Sequence, residues 1–255
     1  MAFSYEELAE IRHYIHQHPE LSGQEYQTTA FLKERLEELG IRILESGLKT
    51  GLIAEIGSGQ PVVALRADID ALPILEQTNL PYQSQNPGVM HACGHDFHQT
   101  SLLGAAALLK EKEDQLEGTV RLIFQPAEEI SEGASDVLAT GLLEDVQGII
   151  GFHNIPQLKA GQLALNAGAM MAGVEKFKVT VTGVSSHAAR PDLGVDTVTA
   201  VTTMVQNVQL LISRTVSPFE TAVLSITHLD VGSTWNVLPK SGYFEGTIRS
   251  FNPSV

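Results

Sequence analysis

The sequence predicts an α/β fold: a mostly parallel sheet with helices on both faces over residues 1–172, then an incomplete α+β, ferredoxin-like domain over residues 173–255. Three observations carry this reading. Helix-patterned and strand-patterned segments alternate as far as Phe152, which is the signature of helices packed on a parallel sheet. Near Gly173 the pattern changes to strands with one polar face, first at Phe177, Val179 and Val181. Short acidic or histidine-bearing motifs also stand where apolar strands run out, and in open α/β sheets ligands bind beyond the carboxyl ends of strands.

Taken in order, Ser4 and Glu7 form a capping-box signal with Leu8, Ile11 and Ile15 as the apolar stripe behind it. Phe31, Leu32, Leu36 and Leu39 mark a second helix, closed by Gly40. Strands are expected at Ile41–Leu44, Leu52–Ile56 and Val62–Leu65, and Ser101–Lys110 reads as a buried, Ala-rich helix. A strand over Val120–Phe124, a short helix over Ala134–Thr140 and a strand over Ile149–Phe152 follow. In the second region a polar loop, Gly183–Gly194, separates the first strand from a helix-like stretch over Thr197–Ser213. Alternation returns at Val223–Leu229 and Tyr243–Phe251. This is a β-α-β-β order, one helix and one strand short of a ferredoxin-like unit.

At 255 residues the chain can bury a sizeable core, and 43% hydrophobic with 18% charged residues is ordinary for a globular protein. A formal net charge of −14 argues against nucleic acid and anionic membrane surfaces as partners. Met1–Glu7 has neither a basic nor an apolar signal-peptide region, and no apolar run is long enough to cross a bilayer. A cytoplasmic location is the expectation. The 1 cysteine excludes an internal disulfide, and Cys93 stands among histidines, an odd place for an inert thiol.

Four motifs carry the chemistry. Arg66-Ala-Asp-Ile-Asp70 follows one strand, Gln125-Pro-Ala-Glu-Glu129 another, and His153-Asn154 a third. Between the first two lies His91-Ala-Cys-Gly-His-Asp-Phe-His98. Thiol, imidazole and carboxylate gathered at strand ends point to a metal site. Singly, each motif has a plainer explanation: Asp-x-Asp as a turn, Glu128-Glu129 as a helix start, His153 as a core histidine. Four together, with Cys93 and His95 among them, outweigh these. His13, His16, His18 and His228 lack such company and read as structural or surface residues. His91 and His98 stay open between partners of the site and mere neighbours. Two adjacent glutamates could divide the labour, one on a metal and one free as a base. Thiolate and imidazole favour zinc, and carboxylates also suit manganese.

These motifs, with His18-Pro-Glu-Leu21 and Ser186-His-Ala-Ala189, resemble the metal-dependent aminoacylase and exopeptidase family. The matching branch includes hippurate hydrolases, N-acyl-amino-acid deacetylases and auxin-conjugate hydrolases, and the match runs over essentially the whole chain. The resemblance implies a hydrolase of N-acyl amino acids using two divalent metal ions, zinc or manganese, with cobalt and nickel as further candidates. It implies Cys93 as a bridging thiolate, with His95, Glu129 and His153 as further ligands. Glu128 would be the general base, and Asp70 would orient a ligand. Asp68 stands where more distant relatives carry a His ligand and is left out of the ligand set. Residues 173–255 resemble the family's lid and dimerisation domain. This implies a homodimer in which His187 polarises the scissile carbonyl in the partner's site. Asn236 and Arg249 match residues that bind the substrate carboxylate.

Family members continue past Val255, finish the lid, and return to the first domain with a further His ligand. The expectation is therefore a fragment, a truncated product, or a chain that needs a complementing piece. Two rivals follow: a remnant that binds only metal or a partner, and a thiol hydrolase using Cys93 with a nearby His.

Overall fold

In a computed structural model that describes residues 3–255, the chain divides into two units, Met1–Lys159 and Ala160–Val255. The first unit opens with helix α1, Tyr5–Gln17, whose capping box is formed as expected. Glu7 N–H donates to Ser4 Oγ (3.1 Å), and Ser4 N–H donates to Glu7 Oε2 (2.7 Å). Helix α2 spans Tyr26–Glu38, and Gly40 turns the chain out of it at φ 66°, a left-handed conformation that glycine adopts without strain.

Strands β1 (Arg42–Leu44), β2 (Leu52–Ser58), β3 (Val62–Asp68), β4 (Gly118–Gln125) and β5 (Val146–Gly151) form one sheet in the order β1-β2-β4-β3-β5. β3 pairs in parallel with β4 and β5, β2 runs antiparallel to β4, and β1 antiparallel to β2. Four of the five strands therefore point the same way, and the sheet is mostly parallel as expected.

Both faces are covered. On one, Ile11 and Ile15 of α1, Leu32 and Leu36 of α2 and Leu102, Leu103 and Ala106 of helix α3 (His95–Lys110) pack on Leu52, Ala54, Leu122 and Phe124. On the other, Val137 of helix α4 (Gly133–Ala139) packs on Ile53, Ala64 and Ile123. The register sets the ends of the parallel strands at one level, with Asp68 opposite Gln125 and Arg66 opposite Gly151.

Helix α3 starts six residues earlier than the expected Ser101. Its first two turns bury His95, Asp96, His98 and Gln99, polar residues that break the apolar stripe by which a helix is recognised. Gly94, at φ 91°, makes the entry.

In the second unit, β6 (Gly173–Thr182), β8 (Ala222–Val231) and β10 (Ser241–Ser250) form an antiparallel sheet in the order β6-β10-β8. Helix α5 (Thr197–Val208) contributes buried Val201, and a short α6 (Leu210–Thr215) follows where one helix was expected. Asp196 caps α5 through Thr199 N–H (3.1 Å). A two-stranded ribbon joins β7 (Ser186–His187) to β9 (Val237–Leu238). Two-residue strands have no periodicity to read, so the ribbon lay hidden in the expected loop. Among the described residues, no helix is long and apolar enough to cross a membrane.

Candidate metal centre

The loops after β3, β4 and β5 and the start of α3 meet, and they carry the residues singled out from the sequence. Cys93, His95 and His153 each offer an atom within 4.8 Å of the others, as do His95, Glu128 and Glu129. His95 Nε2 stands 3.8 Å from Glu128 Oε2 and 3.7 Å from Glu129 Oε1. Cys93 Sγ stands 3.3 Å from His153 Nε2. A tetrahedral ion with ligands at about 2.0–2.3 Å separates neighbouring donor atoms by about 3.3–3.8 Å. The donors already stand at roughly that spacing.

The hydrogen bonds fix which atoms face the centre. His95 Nδ1–H donates to the carbonyl of Asp70 (2.9 Å) and lies 3.2 Å from its carboxylate. His153 Nδ1–H donates to Asn154 O (2.8 Å). Each ring is thereby held in the tautomer that leaves the Nε2 lone pair facing the centre, the one a metal takes, unpartnered in His95 and against Cys93 Sγ in His153. His95 Nε2 and Glu129 Oε1 are buried and have no hydrogen-bond partner, an arrangement that a cation would satisfy.

Asp70 holds two of the candidate donors from behind. Its Oδ2 accepts from Glu129 N–H (2.9 Å) and Ser22 Oγ (2.6 Å), while Oδ1 faces His95. The same carboxylate thus orients one imidazole and the backbone of one glutamate.

Electrostatics point the same way. Burial and the Glu129 carboxylate push the Cys93 thiol up to about 12. Glu129 is raised, mainly by burial. Burial would lower His95, but its hydrogen bond to Asp70 and the surrounding carboxylates raise it. Burial dominates the first two shifts, and neighbouring carboxylates contribute to all three; divalent metal ions would offset that negative charge. The donor set therefore fits such ions.

Residues that the sequence left unassigned complete the surroundings. Asp68 is buried, which opposes its charge, yet a hydrogen bond from His98 and the nearby His95 and Arg66 hold it at about 2. Its Oδ2 lies 3.6 Å from His95 Nε2. His98 Nδ1–H donates to Asp68 Oδ1 (2.6 Å), and Asn154 N–H donates to His98 Nε2 (3.0 Å). His98 therefore ties the end of β3 to the turn after β5. Its i+3 spacing from His95 was the available signal, putting both on one side of α3. His91 is also buried, with both ring nitrogens unpaired, and burial pushes it down to about 4.

His187, Asn236 and Arg249 all lie in the second unit. His187 pairs with Val237 across the ribbon, and Ala188 N–H donates to Asn236 O (3.0 Å), so His187 and Asn236 are neighbours. Arg249 is not brought to them. It sits exposed near the far end of β10, paired with Val174 and Val223. Eight strand steps separate it from Ser241, where β10 leaves the ribbon, or roughly 25 Å.

Comparison with known proteins places this architecture. The profile described as Peptidase family M20/M25/M40 matches residues 64–234. The N-acetyl-L-cysteine deacetylase of Bacillus subtilis is 48% identical over 251 residues, 98% of this chain and 60% of that protein. An IAA-amino acid hydrolase, ILR1-like 5 of Arabidopsis thaliana, is 43% identical over 244 residues, 95% of this chain and 56% of its own. The crystal structure of a dinuclear metal-binding peptidase of the M20 family from Bacillus subtilis superposes with a TM-score of 0.82 at 45% identity, covering 97% of this chain and 64% of that one. The chain thus spans about three fifths of the length of these relatives. With the profile covering more than half of its residues, the chain belongs to peptidase family M20/M25/M40.

Proposed function

We propose that the protein is a metal-dependent amidohydrolase that cleaves the amide bond of N-acyl amino acids, releasing a carboxylate and an amino acid. One observation carries the reading: two adjacent glutamates face one unpartnered imidazole nitrogen at nearly equal distance, 3.8 and 3.7 Å. Only one of them is tied down, Glu129 through its backbone on Asp70.

In this reading Cys93, His95, Glu129 and His153 hold two divalent ions, and Asp70 positions His95 and Glu129. Such ions lower the pKa of water to about 7 and polarise a carbonyl. Glu128, whose side chain is 42% exposed, is free to take the water proton and deliver it to the amine nitrogen as the carbon–nitrogen bond breaks. Thiolate and imidazole favour zinc, and the carboxylates suit manganese. The deacetylase and hydrolase names of the relatives support an N-acyl amino acid as substrate.

His187 donates to the developing oxyanion, and Asn236 and Arg249 receive the substrate carboxylate. Arg249 stands eight strand steps, roughly 25 Å, from the end of β10 that adjoins the ribbon beside Asn236, so a single carboxylate held by both residues draws them from two chains. This supports a homodimer through the second unit, in which each substrate meets residues of two subunits. The acidic balance and single cysteine suit the cytoplasm.

Paired substitutions test the division of labour. Glu128→Gln keeps bound metal and fold but loses about 10²–10⁴-fold in kcat. Glu129→Gln loses metal affinity first. Metal content and turnover of N-acetyl amino acids, measured side by side, decide it; the reverse pattern would exchange the two roles. Metal binding without turnover in the unsubstituted protein would favour the remnant instead.

A further inference from the structure

The turn that presents Glu128 and Glu129 has an unusual backbone. Ala127 sits at φ 51° and Ser131 at φ 61°, left-handed conformations that cost a non-glycine residue energy and persist only where the surroundings impose them. The turn is also tightly enclosed. A Cβ on Gly133 would lie 1.6 Å from Pro126 O, and one on Gly51 would lie 2.6 Å from Phe124 O.

One side chain reaches this turn from about a hundred residues away. Glu25 is fully buried, and its Oε1 accepts the N–H of Ala127 at 2.8 Å. Its Oε2 accepts from Thr50 Oγ1, also at 2.8 Å. Glu25 stands at the start of α2, yet its side chain caps no helix amide. A carboxyl group taken wholly out of water is costly to place, and this one is spent on the strained residue immediately before the glutamate pair.

We propose that Glu25 is a positioning residue that holds Ala127 in its left-handed conformation and so fixes where Glu128 and Glu129 point. The proposal rests on the reading of Glu129 as a metal ligand. Glu25 touches neither substrate nor metal; it acts through the backbone at Ala127.

Cobalt(II) titration of the full chain tests this, with its absorption bands as a spectroscopic readout and thermal melting of the metal-free protein alongside. Glu25→Gln keeps an acceptor oxygen of the same reach, so affinity stays within about threefold and the spectrum is retained. Glu25→Met keeps length and apolar packing but removes the acceptor. Affinity should then fall about 10–100-fold, the usual effect of losing a partner behind a ligand, with altered cobalt bands. If Glu25→Met fails to fold, Glu25→Asp replaces it: the charge remains but falls one methylene short, so it should bind more weakly than Glu25→Gln. Cobalt binding like wild type in Glu25→Met, or tighter binding by Glu25→Asp than by Glu25→Gln, overturns the proposal. Glu129→Gln run in parallel separates the two ideas. If it binds cobalt normally, the ligand assignment itself has failed and the role of Glu25 falls with it; if it binds weakly, an adverse result at residue 25 counts against Glu25 alone.

Discussion

Cys93 shows how far the surroundings change a residue. Burial and the neighbouring Glu129 move its thiol from 9.0 to about 12, so in the metal-free protein at about pH 8 the thiolate is roughly a thousandfold scarcer than in an ordinary cysteine. Alkylation by iodoacetamide should be correspondingly slow and should keep accelerating as pH rises toward about 12. A cysteine used as a nucleophile would behave oppositely, reacting fast near neutrality. Measuring the alkylation rate against pH in chelator-treated protein therefore tests the thiol-hydrolase alternative directly, and rapid modification at neutral pH would restore it. Cys93 and His95 were legible because chemistry of this kind stands out over three residues of sequence. His98 and Asn154 stood in the motifs without a readable role, and Glu25 was not legible. Their work is done by hydrogen bonds to residues about 30, 56 and 102 positions away, and no local pattern records such a partner.

Between elements, the join of α1 to α3 carries a pH signature. His16 on α1 is buried, with Nδ1 3.0 Å from Asp96 Oδ2 on α3 and Nε2 3.2 Å from Glu76 Oε1. Arg12 Nε donates to the same Asp96 oxygen at 2.9 Å. A ring flanked by two carboxylates satisfies both only as the imidazolium, which donates from both nitrogens. The hydrogen bond to Asp96 accordingly raises His16 above 6.5, against the effect of burial, with Glu76 adding to it. Because the folded value is the higher one, this contribution is fully present below about pH 6.5 and is lost as pH rises through the folded pKa. His16→Gln should therefore destabilise the protein most at about pH 5.5 and least at about pH 8.5. Urea midpoints for both proteins at the two pH values check the sign, and a gap that widened with pH would contradict it. None of this is legible locally: His16 reads as an isolated surface or structural residue because its partners lie 60 and 80 positions away. The elements themselves were mostly legible, since apolar periodicity reports a buried face. It failed at the start of α3, where the buried face is polar for the sake of the site.

For the whole molecule, the place of Arg249 at the end of β10 away from the ribbon beside Asn236 turns assembly into a catalytic question. If each substrate is shared between two subunits, His187 serves the partner's Glu128, and neither subunit is complete alone. Glu128→Gln and His187→Ala should each be nearly inactive as homodimers. In a heterodimer of the two, one site combines an intact Glu128 with an intact His187 from the other subunit, while the second site lacks both. Mixing differently tagged variants, isolating the doubly tagged species and assaying it should therefore recover up to about half of the wild-type rate per dimer, because one site in two is whole. Sizing of the isolated species shows whether a dimer has formed. A verified heterodimer with no recovered activity would mean that His187 acts within its own subunit or not at all. Activity from a species that sizes as a monomer would remove the need for a partner, and Asn236 and Arg249 could then not receive the same carboxylate.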